Sequence, residues 1–202
     1  MSRDPARAAT QFFGGRVCLD FANTLDWRLT PDPVELIPDY AALLSWSARR
    51  GTMSAETVAC LRTRSARKNA EAIGTIKKAY ELRAHIWKAA DALRNGGSVE
   101  LDAFNAMLSR LPSQPNLTQY GTQYVFDLDG TELEQPLWPV LWSLSAVLAS
   151  EDAIRLGCCQ AQGCGWFFVD ESPNRSRLWC SSEVCGNRER ARRAYAKRRS
   201  RI

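Results

Sequence analysis

The chain has 202 residues, a hydrophobic fraction of 45% and a net charge of +5. This length suits one large domain or two modest ones, and the apolar fraction is sufficient for a packed core. No segment approaches the roughly eighteen uninterrupted apolar residues of a membrane-spanning helix, and residues 1–7 lack the apolar run of a signal peptide. The sequence therefore predicts a soluble, cytoplasmic protein with no membrane partner.

The positive charge is concentrated towards the C-terminus. Residues 155–202 hold 11 basic and 4 acidic residues, a net charge of +7, whereas residues 1–154 hold 16 basic and 18 acidic residues, a net charge of −2. Asymmetry of this kind indicates that a polyanionic partner would bind the C-terminal segment alone.

Helical patterns dominate residues 1–154. The apolar positions from Phe12 to Trp27 fit both a helix and a strand, and we favour a helix after Gly15. Asp39 is suited to cap the next helix, and Gly51 to end it. The later elements are predicted as helices at 39–50, 69–94, 99–111 and 138–149 and a strand or hairpin at 120–128 that turns at Asp129-Gly130.

Polar and aromatic residues cluster near the first predicted helix. They are Asp20, Asn23, Asp26, Trp27 and Arg28. Such side chains beside an aromatic ring can line a small-molecule pocket, so we predict a ligand site there. The alternative, which the sequence favours slightly, is capping and hydrogen bonding between helices around Trp27. No nucleophile–base pair or phosphate-binding glycine loop is evident, so no enzyme is predicted, although an enzyme acting through this pocket is the rival hypothesis.

Two cysteine pairs follow in the basic segment. Each pair has four intervening residues, and fifteen residues separate the pairs, which comprise Cys159, Cys164, Cys180 and Cys185. Short-spaced pairs of this kind supply the tetrahedral thiolates of a structural zinc site, which has no open position for a catalytic water. Two disulfides or four buried thiols are the alternatives, but the odd total of seven cysteines fits a reducing compartment better. We predict one structural Zn²⁺ per chain.

The zinc segment should end in a basic helix. We predict strands at 166–169 and 177–179 around a turn at 172–174, then a helix at 188–199 capped by Asn187. Ala191, Ala194 and Tyr195 would form an apolar stripe that docks on the finger. Phosphates would relieve the repulsion among its like charges. The candidate nucleic-acid contacts are Arg175, Arg177, Arg188, Arg190, Arg192, Arg193, Lys197, Arg198 and Arg199.

The motif Cys185-Gly186-Asn187-Arg188, together with the cysteine pairs, resembles the CGNR zinc-finger family of bacterial proteins. Residues 19–28 and 137–140 resemble the opening and closing segments of the ABATE-type domain that precedes this finger. The resemblance implies a stress-induced transcription regulator and favours DNA over RNA as the partner. An RNA- or ribosome-associated module is the third hypothesis.

The predicted fold is therefore mainly α with a small β component. A helical ABATE-like sensor domain, residues 1–154, would precede a treble-clef-like Cys₄ zinc finger, residues 155–202, that ends in the basic helix.

Overall fold

The computed structural model describes residues 11–111, 116–120, 123–127 and 132–199. The described chain is mainly helical with short antiparallel strands, as the sequence predicts. The α-helices are α1 (Val17–Ala22), α2 (Tyr40–Arg50), α3 (Ala55–Arg67), α4 (Asn69–Arg94), α5 (Asp102–Leu108), α6 (Trp138–Leu148) and α7 (Asn187–Arg199). The strand pairs are β1 (Leu25–Asp26) with β2 (Val34–Glu35), β3 (Asn116–Tyr120) with β4 (Gln123–Asp127), and β5 (Leu156–Cys158) with β6 (Phe167–Val169).

Helix α1 lies at the centre of the main core. It packs against α4 and α6, and Cys18, Leu19 and Phe21 are at most 1% exposed. A helix, rather than a strand, therefore follows Gly15, as predicted.

Helix α2 begins and ends where local sequence signals place it. The Asp39 carboxylate accepts a hydrogen bond from the Ala42 amide at 2.8 Å, which satisfies one of the free donors of the first turn. Gly51 ends the helix in the left-handed region, at φ 71°, where an L side chain would be strained. Both predicted ends are confirmed.

Helix α5 is shorter than the predicted 99–111. It begins at Asp102, and Leu101 occupies the N-cap position without a side-chain hydrogen bond, so a capped start near Ser98 is wrong. Phe104 is the buried residue of this helix, so little packing is available to extend it. The strand predicted within 120–128 is present as β4, but its hairpin partner β3 precedes that span, so the two strands are connected between Tyr120 and Gln123; the predicted turn at Asp129-Gly130 lies outside the described residues.

Strand β6 is shared between two apolar cores. Phe167 and Val169 belong to the main core, whereas Phe168 belongs to a second cluster that contains the four paired cysteines. Alternate side chains of a strand point to opposite faces, so three residues serve both cores. The predicted strand at 166–169 is confirmed, but its predicted partner at 177–179 is wrong, because β6 pairs with Leu156–Cys158.

The helices in the described ranges include none that is both long enough and apolar enough to cross a membrane.

Candidate metal centre

The four predicted zinc ligands converge on one point. Their sulfur atoms all lie within 4.8 Å of one another, and the side chains are Cys159, Cys164, Cys180 and Cys185. The Sγ atoms of Cys164 and Cys180 are 3.8 Å apart, and those of Cys180 and Cys185 are 3.5 Å apart. A tetrahedron with Zn–S distances of about 2.3 Å has edges of about 3.8 Å. The donor set and its spacing therefore fit one structural Zn²⁺.

The four sulfurs also show why a cation belongs there. The pKa of Cys159 is lowered, chiefly because the thiolate accepts a hydrogen bond from Cys164, whereas the pKa of Cys164 is raised by the same pairing. The four residues are 2–4% exposed, so little water reaches them. A divalent cation replaces the shared protons and lets all four sulfurs act as thiolates.

The turn from Cys159 to Cys164, the first knuckle, is shaped by its backbone hydrogen bonds and glycines. The Cys159 amide donates to the Trp166 carbonyl at 2.8 Å, and the Cys164 amide donates to Ala161 at 2.9 Å. Gly163 and Gly165 flank Cys164 with φ of 79° and 71°, in the left-handed region that favours glycine. The chain can thus reverse within six residues and present both sulfurs on the same side.

The turn from Cys180 to Cys185, the second knuckle, leads directly into α7. Residues Ser182–Gly186 form a short π-helix. Ser181 caps it, because its Oγ accepts a hydrogen bond from the Val184 amide at 3.2 Å. Asn187 begins α7, but its side-chain amide donates to the Glu183 carbonyl at 2.7 Å. The predicted capping role therefore belongs to Ser181, because the turn around Cys185 is itself helical.

Three of the predicted ligand residues, Asn23, Trp27 and Arg28, contact the finger. Asn23 and Phe167 exchange two hydrogen bonds of 2.8 Å, and Arg28 donates to the Gly165 carbonyl at 3.2 and 3.0 Å. Asp26 lies in β1 and accepts from the Trp27 amide at 2.8 Å. Ligand binding by this group stays a prediction, since the chain itself supplies these partners.

Asp20 is engaged within the N-terminal segment. Its carboxylate accepts from the Gly14 amide at 2.8 Å and from Arg50 Nε at 2.7 Å. Burial raises the pKa of this carboxyl above its ordinary value, although both hydrogen bonds oppose the shift. Asp20 thus connects Gly14, in the segment that precedes α1, to Arg50 at the end of α2.

Several of the predicted nucleic-acid contacts have partners within the chain. All three guanidinium nitrogens of Arg177 donate to backbone carbonyls. The Cζ atom of Arg177 lies 4.1 Å from the centre of the Phe168 ring. Arg190 donates to Ser182 O at 3.1 Å and to Asn187 Oδ1 at 2.6 Å. Arg188 lies 4.3 Å from the centre of the Trp27 ring.

The distal part of α7 is exposed on every side. All residues from Ala191 to Arg199 are exposed, including Arg193, Lys197, Arg198 and Arg199. Tyr195 is 66% exposed, so the predicted docking of an apolar stripe on the finger is wrong. Glu189, in the first turn, is the buried residue of this helix. Arg175 is also exposed, at the turn that precedes Arg177.

Two acidic residues that the sequence analysis did not single out organise this segment. Glu189 is 3% exposed and accepts from the Gln162 amide at 3.1 Å and from Arg192 at 2.8 Å, which joins α7 to the first knuckle. Asp170 accepts from both Ser172 and the Arg177 amide. Burial alone would raise the pKa of each carboxyl, but these hydrogen bonds outweigh it and lower both pKa values. Glu189 is a single acidic residue in a basic run, and this isolation is the sequence signal that could have identified it as structural.

Together these features define a zinc-finger protein in which a four-cysteine site on a short hairpin precedes a basic helix and packs on a helical segment. Residues 155–198 match the CGNR zinc finger, and residues 15–151 match the family ABATE, described as "Putative stress-induced transcription regulator". The second match covers more than half of the chain, so the protein belongs to the ABATE family and carries a CGNR zinc finger. No curated protein matches the chain.

Proposed function

We propose that the protein is a zinc-dependent DNA-binding regulator of transcription that acts in the cytoplasm. The observation that carries the proposal is the basic helix α7, which starts two residues after the zinc ligand Cys185 and leaves its distal part exposed. The description of the ABATE family as transcription regulators supports the same role.

The shape and charge of α7 suit a nucleic-acid groove. Its 13 residues make a rod of roughly 20 Å, which the major groove of B-DNA can admit. Like charges at i and i+4, such as Arg193 and Lys197, cost a few tenths of a kcal/mol each in a free helix. Phosphates would remove that cost, and zinc would fix the direction in which the helix leaves the finger.

The exposed arginines of the distal helix form the proposed phosphate-binding surface. They are Arg193, Arg198 and Arg199, with Lys197 on the same helix and the exposed Arg175 on the loop that precedes Arg177. If about five phosphates are neutralised, affinity should fall by roughly 10²–10³ between 50 and 200 mM salt. Arg188, Arg190 and Arg192 already hold partners within the chain and would contribute less.

The test compares two triple variants by fluorescence anisotropy on a mixed-sequence duplex. Replacing Arg193, Arg198 and Arg199 with alanine should leave about two phosphate contacts, so affinity should fall only about tenfold over the same salt range. The matched control replaces the exposed residues Arg62, Arg67 and Lys77, which removes the same charge from the N-terminal segment. Equal effects of the two variants, or binding that survives chelation of zinc, would remove this role from α7. Tighter binding to RNA than to the duplex would favour the RNA-associated alternative.

For the sensing role of the N-terminal segment, the structure offers a cleft away from the predicted polar group. Its volume is about 200 Å³, and it lies between α4, α5 and α6. Its lining combines six apolar side chains with four polar ones, and it comprises His85, Lys88, Ala89, Ala92, Ser98, Val99, Glu100, Phe104, Leu144 and Leu148. A metabolite that raises the melting temperature of the wild type, but not of Ala92→Trp, would place the ligand here. Conversion of that metabolite would support the enzyme alternative instead.

A further inference from the structure

One loop of the N-terminal segment is built into the zinc finger. The support loop, residues 23–30, begins with Asn23, which is 4% exposed. Its side-chain amide donates to the Phe167 carbonyl and accepts from the Phe167 amide, both at 2.8 Å. This pair of bonds reproduces the exchange between two hydrogen-bonded strand residues. Asn23 therefore extends the β5–β6 hairpin from outside the finger.

Arg28 connects the long helix α4 to the first knuckle. Its guanidinium donates twice to the Gly165 carbonyl, at 3.2 and 3.0 Å. The same group lies 4.6 Å from the centre of the Phe167 ring and 5.4 Å from that of Trp87, and it is 3.9 Å from the Asp91 carboxylate. Its side chain is only 14% exposed, so these contacts are poorly screened by water.

The tip of the support loop covers the knuckle glycines. The Leu29 amide donates to the Gly163 carbonyl at 3.3 Å. A Cβ at Gly163 would lie 2.7 Å from Thr30, and a Cβ at Gly165 would lie 2.6 Å from Leu29, so the loop and the knuckle are in direct contact. Trp27 lies between Gly163 of this knuckle and the Arg188 guanidinium of α7.

These contacts hold the residues on both sides of Cys164. We propose that the support loop is an outer shell of the zinc site, with Asn23 and Arg28 as positioning residues for the first knuckle. A ligand that is already oriented loses less conformational entropy when the metal binds, and outer partners fix that orientation. Zinc binding and folding of the N-terminal core are then coupled, and the coupling acts in both directions.

The size of the effect follows from other metal sites. Loss of an outer partner typically lowers metal affinity 10–100-fold. We expect Arg28→Ala in the full chain to weaken zinc binding by about this factor, measured by competition with a chromogenic chelator. Arg28→Lys should recover part of the affinity, because an ammonium can still donate to the Gly165 carbonyl. In Co²⁺-loaded protein, Arg28→Ala should also broaden the ligand-field bands of the four-thiolate site.

Arg50→Ala is the matched control. Arg50 also forms an ion pair, with Asp20, and also lies over an aromatic ring, at 5.6 Å from the centre of Phe12, but these contacts are inside the N-terminal segment. We expect Arg50→Ala to lower the unfolding free energy but, under conditions in which the chain stays folded, to leave the zinc affinity and the Co²⁺ spectrum unchanged. Equal losses of zinc affinity in Arg28→Ala and Arg50→Ala would overturn the proposal, because affinity would then follow overall stability.

A measurement on the wild type keeps the proposal testable if Arg28→Ala fails to fold. Chelation of zinc should accelerate amide hydrogen exchange in α1 and α4, because Phe167 and Val169 would leave the main core. Unchanged protection of α1 and α4 after zinc removal would overturn the proposal. Neither experiment involves nucleic acid, so the outcome is independent of the proposed DNA binding.

Discussion

Three glycines with positive φ provide a graded test of how tightly the support loop packs on the first knuckle. Gly51, Gly163 and Gly165 have φ of 71°, 79° and 71°. Alanine in this region costs about 1–2 kcal/mol. A Cβ at Gly51 would meet nothing within 4 Å, so Gly51→Ala measures this backbone cost alone.

The two knuckle glycines add steric conflict of different severity. At Gly165 the conflict is with Leu29, a residue that is 60% exposed and whose side chain can rotate away. At Gly163 a Cβ would lie 2.7 Å from Thr30 and 3.1 Å from the Trp27 ring. Neither yields easily, because the Thr30 hydroxyl donates to the Trp27 carbonyl at 2.8 Å and a guanidinium covers the ring. We expect Gly163→Ala to cost about 1–3 kcal/mol more than Gly51→Ala.

Two assays on the zinc-loaded protein measure this difference. Denaturant unfolding gives the free energies directly, and Gly165→Ala should fall close to Gly51→Ala. Since metal binding supplies much of the folding free energy of a small finger, Gly163→Ala should also bind zinc about 5- to 150-fold more weakly than Gly51→Ala. The reasoning is refuted if Gly163→Ala is no less stable than Gly51→Ala and retains the same zinc affinity.

Two further predictions concern single residues of the finger. Asp170→Asn should lower the unfolding free energy by about 1–3 kcal/mol, because an anionic acceptor of several hydrogen bonds is lost. The pKa of Asp170 is lowered in the folded state, so its stabilisation is complete above the unfolded pKa of about 3.9 and is lost only as the pH falls through the lower folded pKa. The difference in unfolding free energy between Asp170→Asn and the wild type should thus be constant from pH 8 to pH 6. A difference that shrinks as the pH falls through this range would mean that burial raises the pKa of Asp170 more than its hydrogen bonds lower it. Cys158→Ser should keep one zinc per chain by elemental analysis, because Cys158 lies in β5 outside the sulfur cluster. Cys159→Ser should lose the zinc. The reverse pattern would mean that Cys158, and not Cys159, is the ligand.

Local patterns predicted what local interactions determine. The cysteine spacing identified the metal site, because each pair needs only a short turn to bring its sulfurs together. Asp39 and Gly51 located the ends of α2 for the same reason, since capping groups act within one turn. The exposed distal part of α7 was not foreseen: Tyr195 appeared able to dock, but no neighbouring element in the described chain covers it.

The contacts between distant segments could not be predicted from periodicity. Asn23 and Phe167 are 144 positions apart, and nothing in the spacing of either indicates the other. The sequence singles out Asn23 and Arg28 for a ligand site or for hydrogen bonding between helices, but their partners include backbone carbonyls of the finger, which carry no sequence signal. Likewise, the pairing of β6 with Leu156–Cys158 depends on Gly157, where a Cβ would lie 2.3 Å from the Phe168 ring.

Strand β6 also has a consequence for the order of synthesis. Domains generally fold as they leave the ribosome, with the N-terminal part first. Here the main core of the N-terminal segment includes Phe167 and Val169, which are made after every helix from α1 to α6. The core of the nascent chain is therefore incomplete until β6 has left the ribosome. Zinc binding, which follows the synthesis of Cys185, would then stabilise helices that were translated well before the zinc ligands.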